Sequence, residues 1–343
     1  MACYEVLITF AAFLLSMDSR KGPLRHQVWH WIAKPWTTRA SLRSAWRRCG
    51  WLLLVGFFFS VRSLGMAWGA STAFYVAYAV TAVVVRCLEL IDPYRADWDV
   101  HGSSGSPADI VHTFATFWAQ QLVVQLIARS TLRYNAVAWR NHAVACVCAV
   151  LVADCCTYWN HRWSHTVEWY WRFHALHHAP RHLAASNTGR FHFVNSFIAH
   201  ALRALPLALL GFEARACSFY HSLTAIVGLL SHCNIALESG ALCSHLFNTP
   251  ENHRKHHSTL VEYSNANYGE ILIVYDVLFG TFVDARVRVE DVGRTRYRDA
   301  RGARRGARPF RLPNEARVVA QLLAPCARRR SGASRRARGH RRG

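Results

Sequence analysis

Several patterns that assign a chain to a familiar protein class are missing from this 343-residue sequence. Its 11 cysteines form no Cys-x-x-Cys pair, so neither a zinc finger nor a disulfide framework is indicated. No Walker or Gly-x-Gly-x-x-Gly motif occurs, and we therefore expect no flavin or nicotinamide site in this chain. Residues 3–17 are apolar but lack the basic start and cleavage site of a signal peptide, which favours a marginal membrane helix or an uncleaved anchor.

Acidic residues are also scarce, with 20 Asp and Glu against 41 Lys and Arg and a net charge of +21. Most of this excess lies after residue 284, where 19 Arg stand against 4 acidic residues in an Ala- and Gly-rich stretch. Such a composition cannot bury a core and predicts a disordered tail. Residues 19–50 are basic and Trp-bearing, as in an interfacial segment beside membrane helices. Because no nucleic-acid fold signature accompanies these charges, we predict no nucleic-acid partner.

Long apolar runs are what the sequence does contain, and 52% of its residues are hydrophobic. They predict an all-α integral membrane protein with about four transmembrane helices in two hairpins beneath a helical cap. Residues 51–60 either extend the first span or form a separate segment. The predicted spans are Met66–Val85, Ile110–Ala128, Ala143–Trp159, Asn195–Phe212 and Ala216–Leu230. We divide the chain into an N-terminal region (1–50), a membrane domain (51–284) and a tail (285–343).

Histidine is the residue type whose pattern indicates chemistry. Positions i, i+3 and i+4 of a helix share one face, so each histidine motif is expected to project its rings toward a common point. Neutral imidazole is the commonest protein metal ligand, and eight rings exceed what one ion can use. The sequence therefore predicts two metal ions, against the alternative of ordinary core or surface histidines. The eight residues are His161, His165, His174, His177, His178, His253, His256 and His257.

Hairpin topology allows these motifs to meet, because a hairpin returns the chain to the membrane face that it left. Metal-bound histidines normally donate their second ring N–H to a carboxylate or carbonyl, and Asp154, Asn234 and Asn267 are candidates for that role. Asp154 is favoured because an acid near the end of an apolar span is costly unless it has a partner. The aromatic residues around Tyr158–Phe173 are expected to form an interfacial belt or, alternatively, a substrate channel.

Ligand type alone does not choose the metal, since imidazole suits iron, zinc, copper and nickel alike. With zinc, redox chemistry would be impossible and the protein would be a hydrolase or a structural metal binder. A second class of function is a non-catalytic membrane metal-binding or metal-transport protein. Transporters, however, place their ligands at mid-membrane on broken helices, whereas these histidines flank the spans.

Together, these motifs resemble the membrane-bound fatty acid hydroxylase/sterol desaturase superfamily, and within it a bacterial sterol-desaturase-like branch. The similarity covers roughly residues 86–284, with ELIDPYRADW preceding the paired spans. It is carried by the order and spacing of DCCTYWNHRWSH, WRFHALHHAP, NTGRFH, SHCN, TPENHRKHH and NYGEILIVYDVLFGTF.

The resemblance implies a histidine-ligated di-iron centre on the cytoplasmic face of a bacterial inner membrane, with zinc a possible substitute in purified protein. It implies O2-dependent hydroxylation or desaturation of a lipid C–H bond; ether-bond cleavage or aldehyde conversion on the same scaffold stays open. Electrons would come from a separate donor such as a ferredoxin or a cytochrome b5-type system. Carried onto this chain, the resemblance makes the eight histidines metal ligands, adds His232 of SHCN as a ninth, and marks His192 of GRFH as a further candidate.

Overall fold

A computed structural model describes residues 40–100, 107–129, 139–284 and 292. This part of the chain is helical, with three isolated β-bridges and no strand. Short 3-10 helices lie at Gly65–Trp68 and Ala185–Asn187. The α-helices are α1 Ala40–Leu64, α2 Ala70–Ile91, α3 Asp97–Val100, α4 Pro107–Arg129, α5 His142–Thr166, α6 Glu168–His174, α7 Phe193–Leu209, α8 Ala214–His232, α9 Gly240–Leu246, α10 Pro250–His256, α11 Val261–Ser264 and α12 Val274–Leu278.

Four of these helices are long and apolar enough to cross a membrane. They correspond to α1 with the 3-10 turn that follows it, α2, α4 and α5. The protein is therefore an all-α membrane protein, as the apolar runs predict. The contacts pair α1 with α2, while α7 packs on both α4 and α5.

The first predicted span, Met66–Val85, starts too early. Residues 65–68 form a 3-10 turn, and Gly69 has a φ of +92°, a conformation that only glycine adopts at little cost. Residues 51–60 belong to α1, a separate helix that begins at Ala40 and therefore crosses the domain boundary predicted at residue 50. Hydropathy does not show this break, because both sides of the turn are equally apolar.

The two arms predicted at Asn195–Phe212 and Ala216–Leu230 exist as α7 and α8, but both pack on α5 rather than on each other, and neither helix is among the four long apolar ones. Helix α7 has 17 residues, the lower limit for a span, and it contains Arg203. Polar side chains on both helices face an internal cavity described below. Together the two helices still return the chain to the histidines, because α8 ends at His232.

Helix α5 is the central element of the packing. Asn141 caps its N-terminus, accepting from the backbone N–H groups of Ala143 and Val144. A stripe of small buried residues four apart follows on one face and lets neighbouring helices approach closely. The stripe is Ala145, Ala149 and Ala153. Because α5 is held rigidly along its length, the histidines at its C-terminal end are held with it.

Some expectations concern residues outside the described part of the chain. These are the apolar segment 3–17, most of the basic stretch 19–50 and, apart from Val292, the Arg-rich tail. The three-part division of the chain also stays a prediction. All nine cysteines in the described residues are free thiols, as expected from the absence of Cys-x-x-Cys.

Candidate metal centre

Nine histidines converge in two adjacent groups, and within each group the ligand atoms all lie within 4.8 Å of one another. The sequence brings them from four separate segments. Group A comprises His161, His165, His174, His178 and His256, and group B comprises His177, His232, His253 and His257.

The expectation that each motif points toward one place holds for His161 and His165, which both enter group A, but it is wrong for the two His-x-x-His-His motifs. In both His-x-x-His-His motifs the first and last histidines enter one group and the middle one enters the other. His177 thus belongs to group B, whereas His174 and His178 belong to group A. His256 belongs to group A, whereas His253 and His257 belong to group B.

In the first motif, helix α6 ends at His174 and residues 175–178 form a turn, so helical spacing no longer holds there. In the second motif, His253 and His256 both lie on α10, and the third and fourth residues after a helical position stand about 100° apart around the helix axis, which lets them face different groups. Each motif therefore contributes to both groups.

Helix ends position these side chains. His161 and His165 occupy the last turns of α5, and His232 is the final residue of α8. Helix α10 carries the second motif and begins with Pro250, a residue suited to the first position of a helix because its missing N–H would have no partner there. Rings held at helix ends converge where several helices meet, just beyond the apolar spans.

A second set of contacts orients the rings. The Nδ1 atoms of His161 and His256 donate to the carbonyls of Tyr268 and Ala266, both at 2.8 Å. His174 Nδ1 donates to Asn195 Oδ1 at 2.9 Å. His232 Nδ1 lies 3.2 Å from the Gly228 carbonyl. With the proton on Nδ1, each ring directs the lone pair of Nε2 toward its group, the arrangement found in metal-bound histidines.

Unpaired ring nitrogens show that these groups fit a metal. Inward Nε2 atoms approach closely, at 3.3 Å between His232 and His253 and 3.2 Å between His174 and His178. Buried nitrogens without a hydrogen-bond partner are costly unless an ion binds them. Among the nine histidines, the buried ring nitrogens without a hydrogen bond are Nε2 of His161, His165 and His256 and Nδ1 of His177, His178 and His257.

Burial also keeps the rings neutral. Removal from water, and then repulsion from neighbouring histidines, lowers the pKa of His177, His178 and His257 well below its ordinary value. The same burial lowers the pKa of His232 to about 4. Only a neutral imidazole has a lone pair for a metal, so the electrostatics of the site favour metal binding over protonation.

Asp154 acts through a backbone loop rather than on a histidine directly. Its carboxylate accepts the N–H groups of Ile271 and Leu272, at 3.0 and 2.8 Å. Asp276 accepts those of Tyr268 and Gly269 at 2.8 and 2.7 Å. The two acids thus fix residues 266–272, whose carbonyls orient His161 and His256. We name residues 266–272 the carbonyl loop.

The other two residues expected to bond the ligating histidines, Asn234 and Asn267, contact backbone groups elsewhere in the protein. Asn234 makes two hydrogen bonds to the backbone of Arg95, and Asn267 bonds the backbone of Val283 and Asn252. Asn267 has a φ of +54°, so its side chain stabilises a strained turn. His192 belongs to neither group, and its Nδ1 accepts the N–H of Val194 at the start of α7. Sequence reasoning missed Asn195, which no spacing rule connects with His174.

A cavity of about 350 Å³ leads from the histidines into the membrane helices. Aromatic rings from α2 and α4 form one wall, while α7 and α8 supply a more polar one. His161, His174, His177, His232 and His253 lie at its inner end. The aromatic wall consists of Phe74, Tyr75, Tyr78, Phe114 and Phe117, with Phe191 stacked on His177 at 3.9 Å.

Of the two interpretations of the Tyr158–Phe173 aromatics, the substrate channel is wrong, since none of those rings lines the cavity. Tyr158 and Trp159 pack instead against Phe279, and Trp163 and Trp169 are about half exposed. The rings that do line the cavity sit inside apolar spans, where sequence alone gives no sign of which side they face.

Comparison with known proteins shows the family to which the chain belongs. A family model described as fatty acid hydroxylase matches residues 146–281, which include all nine histidines. An ornithine lipid hydroxylase of Rhizobium tropici, OlsE, is 35% identical over 243 residues, covering 67% of this chain and 71% of that protein. The chain belongs to the fatty acid hydroxylase family. The resemblance seen in the sequence motifs is thereby confirmed, and with it membership in a family of oxidoreductases that act on lipids.

Alkylglycerol monooxygenases also match the chain, at lower identity than the ornithine lipid hydroxylase. Alkylglycerol monooxygenases of Danio rerio and Homo sapiens are 30% and 28% identical over 134 residues. The match covers 39% of this chain and 29% of each of those proteins, so it concerns only a part of either protein. No solved structure matches the chain.

Proposed function

We propose that this protein is an O2-dependent di-iron oxidoreductase that hydroxylates a membrane lipid. The observation that carries the proposal is the pair of histidine groups at the inner end of a cavity with an aromatic wall. Family membership supports lipid oxidation, and the neutral nitrogen donors support two metal ions. The relatives, an ornithine lipid hydroxylase and alkylglycerol monooxygenases, favour hydroxylation over desaturation for this chain.

Group A and group B would each hold one iron. When bound, the two irons would supply the redox chemistry that oxidises an unactivated C–H bond, which no side chain can do. The protein holds nine rings in place, orients them through carbonyls and Asn195, and aligns an alkyl chain in the cavity. In the overall reaction one oxygen atom of O2 enters the C–H bond and the other leaves as water, with two electrons and two protons consumed.

Those electrons would come from a separate carrier, such as a ferredoxin or a cytochrome b5-type protein, because the chain has no nucleotide motif. We place the protein in a bacterial inner membrane with its histidines on the cytoplasmic side, where reduced carriers are found. Nine free cysteines in the described residues are consistent with a reducing compartment.

The test combines product and metal analysis. Iron-loaded protein in lipid vesicles is supplied with a reduced ferredoxin system under ¹⁸O2, and lipids are analysed by mass spectrometry. We expect a lipid product heavier by one ¹⁸O atom, and no product from zinc-loaded protein. Protein that retains two irons yet gives no labelled lipid with any bacterial lipid extract would contradict the proposal and favour a non-catalytic metal binder.

A further inference from the structure

The cavity contains an ion pair between a buried arginine and a partly buried glutamate that the metal centre does not use. Arg203 on α7 donates through Nη2 to Glu270 Oε2 at 2.9 Å, and both side chains line the cavity. Arg203 is 8% exposed, and an ionisable pair inside a membrane domain is costly to maintain. A pair placed on a cavity wall is therefore a candidate binding site.

Both charged groups keep unused hydrogen-bonding capacity. Arg203 uses Nε toward the Ala199 carbonyl and Nη2 toward Glu270, and its Nη1 has no hydrogen-bond partner among the described residues. Glu270 Oε1 likewise accepts no hydrogen bond within the described chain, since the ion pair uses Oε2. The wall thus presents free donors and a free anionic acceptor side by side.

Two histidines extend this polar surface. His200 lies three residues before Arg203, on the same face of α7, and also lines the cavity. Its Nδ1 donates to the Ser196 carbonyl at 2.7 Å, so Nε2 is left as an acceptor. His221 reaches the cavity from α8. We name Arg203, Glu270, His200 and His221 the polar wall.

The opposite charges of Arg203 and Glu270 indicate which kind of ligand fits this wall. A lone anion on Arg203 would compete with Glu270 for the same guanidinium, and a lone cation on Glu270 would compete with Arg203. A zwitterion satisfies both, because its anionic oxygens pair with Arg203 while its ammonium pairs with Glu270 and His200. Buried charges are stable only when fully paired in this way.

We propose that the polar wall binds the zwitterionic head group of the lipid substrate inside the cavity, with the anionic oxygens on Arg203 and the ammonium on Glu270. Calling this lipid the substrate rests on the proposed function, whereas its binding can be measured without turnover. The head group is either that of an amino-acid lipid, which has a carboxylate, or that of phosphatidylethanolamine, which has a phosphate.

The side chains of Arg203 and Glu270 belong to neither histidine group and bond none of the nine rings, so they can be altered separately although residue 270 lies in the carbonyl loop. Arg203 follows Asn195, the partner of His174, by eight residues on α7, which corresponds to about 12 Å of helix. Arg86 provides a matched control, because it is 9% exposed, pairs with Glu89 at 3.2 Å and does not line the cavity.

Binding is measured on full-length zinc-loaded protein without O2, by native mass spectrometry in detergent. The lipids are ornithine lipid, phosphatidylethanolamine, phosphatidylglycerol as the anion alone, and ornithine lipid methyl ester as the cation alone. We expect at least one zwitterionic lipid to bind about tenfold or more tightly than both singly charged lipids. Whether that lipid carries a carboxylate or a phosphate identifies its source.

In Arg203→Gln and Glu270→Gln this preference should fall to about threefold or less, while Arg86→Gln should keep the wild-type preference. A wild-type preference below tenfold, a preference that survives in Arg203→Gln, or an equal loss in Arg86→Gln would each overturn the proposal. If Arg203→Gln does not fold, the wild-type protein still tests the proposal. The test is then the affinity for ornithine lipid against that for its methyl ester, and the affinity for phosphatidylethanolamine against that for phosphatidylglycerol.

The two proposals fail differently. Head-group preference in a protein that never oxidises lipid would leave the binding site standing and remove the proposed function. Lipid oxidation without any head-group preference would do the reverse.

Discussion

The carboxylate of Asp154 accepts the backbone N–H of Leu272 at 2.8 Å, joining positions 118 residues apart in the sequence. Its other oxygen accepts the N–H of Ile271. This contact ties the rigid helix α5 to the carbonyl loop, which in turn orients His161 and His256. A single acid therefore links the membrane helices to the geometry of group A.

Replacing Asp154 by Asn tests that link. The amide offers one oxygen, so one of the two loop N–H groups is left buried without a partner, at a cost of about 1–3 kcal/mol. We expect a lower melting temperature, measured by thermal scanning. We also expect a lower metal affinity, measured by metal analysis after dialysis against a chelator. Asp97→Asn, at an exposed pair with Arg95, should change neither. Unchanged metal retention in Asp154→Asn would show that the carbonyl loop does not need this acid.

Gly269 tests the carbonyl loop from within. A Cβ at this position would lie 2.2 Å from the Leu272 carbonyl oxygen, and a backbone atom there cannot rotate away. Gly269→Ala should therefore displace the loop and destabilise the protein by about 1–3 kcal/mol, with loss of bound metal. At Gly56 the same substitution meets nothing within 4 Å, so Gly56→Ala should retain full metal content. Equal metal content and melting temperature in the two variants would argue against a tightly fitted loop.

Asn195 is the residue whose role no sequence pattern indicated. Its Oδ1 accepts from His174 Nδ1, and its Nδ2 donates to the Tyr170 hydroxyl at 3.3 Å. Asn195→Ala should lower metal affinity about 10- to 100-fold, as with other losses of a ligand's hydrogen-bond partner. Asn195→Asp keeps an acceptor for His174 and should recover part of the loss. Competition against a fluorescent chelator measures both, and equal affinities for Asn195→Ala and wild type would remove the assigned role.

His177 and His256 distinguish two metal sites from one. They belong to groups B and A, respectively, although each comes from the motif that mostly supplies the other group. We expect His177→Ala and His256→Ala each to lower the metal count from two per chain toward one, abolish turnover and leave membrane insertion intact. His245→Ala, outside both groups and bonded to the Ala241 carbonyl, should keep two metals. Full activity in either group variant would count heavily against the assignment.

Much of the site was predictable because its pattern is short-range. The spacing of His174, His177 and His178, repeated at His253, His256 and His257, indicated two metals and a shared location. The exchange of the middle histidines between groups was not predictable, since it depends on a turn directly after α6 in the first motif and on how α10 faces the two groups in the second. Nor could spacing identify Asn195, whose contact with His174 depends on the packing of α7 beside α6.

The fold shows the same limit. Apolar runs predicted the helices, but hydropathy alone did not show the break at Gly69 or which sides of α2 and α4 face the cavity. Arg203 also lowers the apolar character of α7 for a reason that only the structure gives, because its partner Glu270 lies 67 residues away. Local chemistry is readable from sequence, whereas partners distant in the chain are not.

The central claim is that histidines from remote segments hold two redox-active ions. Its most direct measurement is X-ray absorption at the iron edge, together with iron analysis, on purified full-length protein loaded anaerobically. We predict two irons per chain, nitrogen neighbours typical of several imidazoles per iron, no sulfur neighbours, and a scattering feature from a second iron. A single iron per chain, or a spectrum dominated by sulfur ligands, would contradict the account.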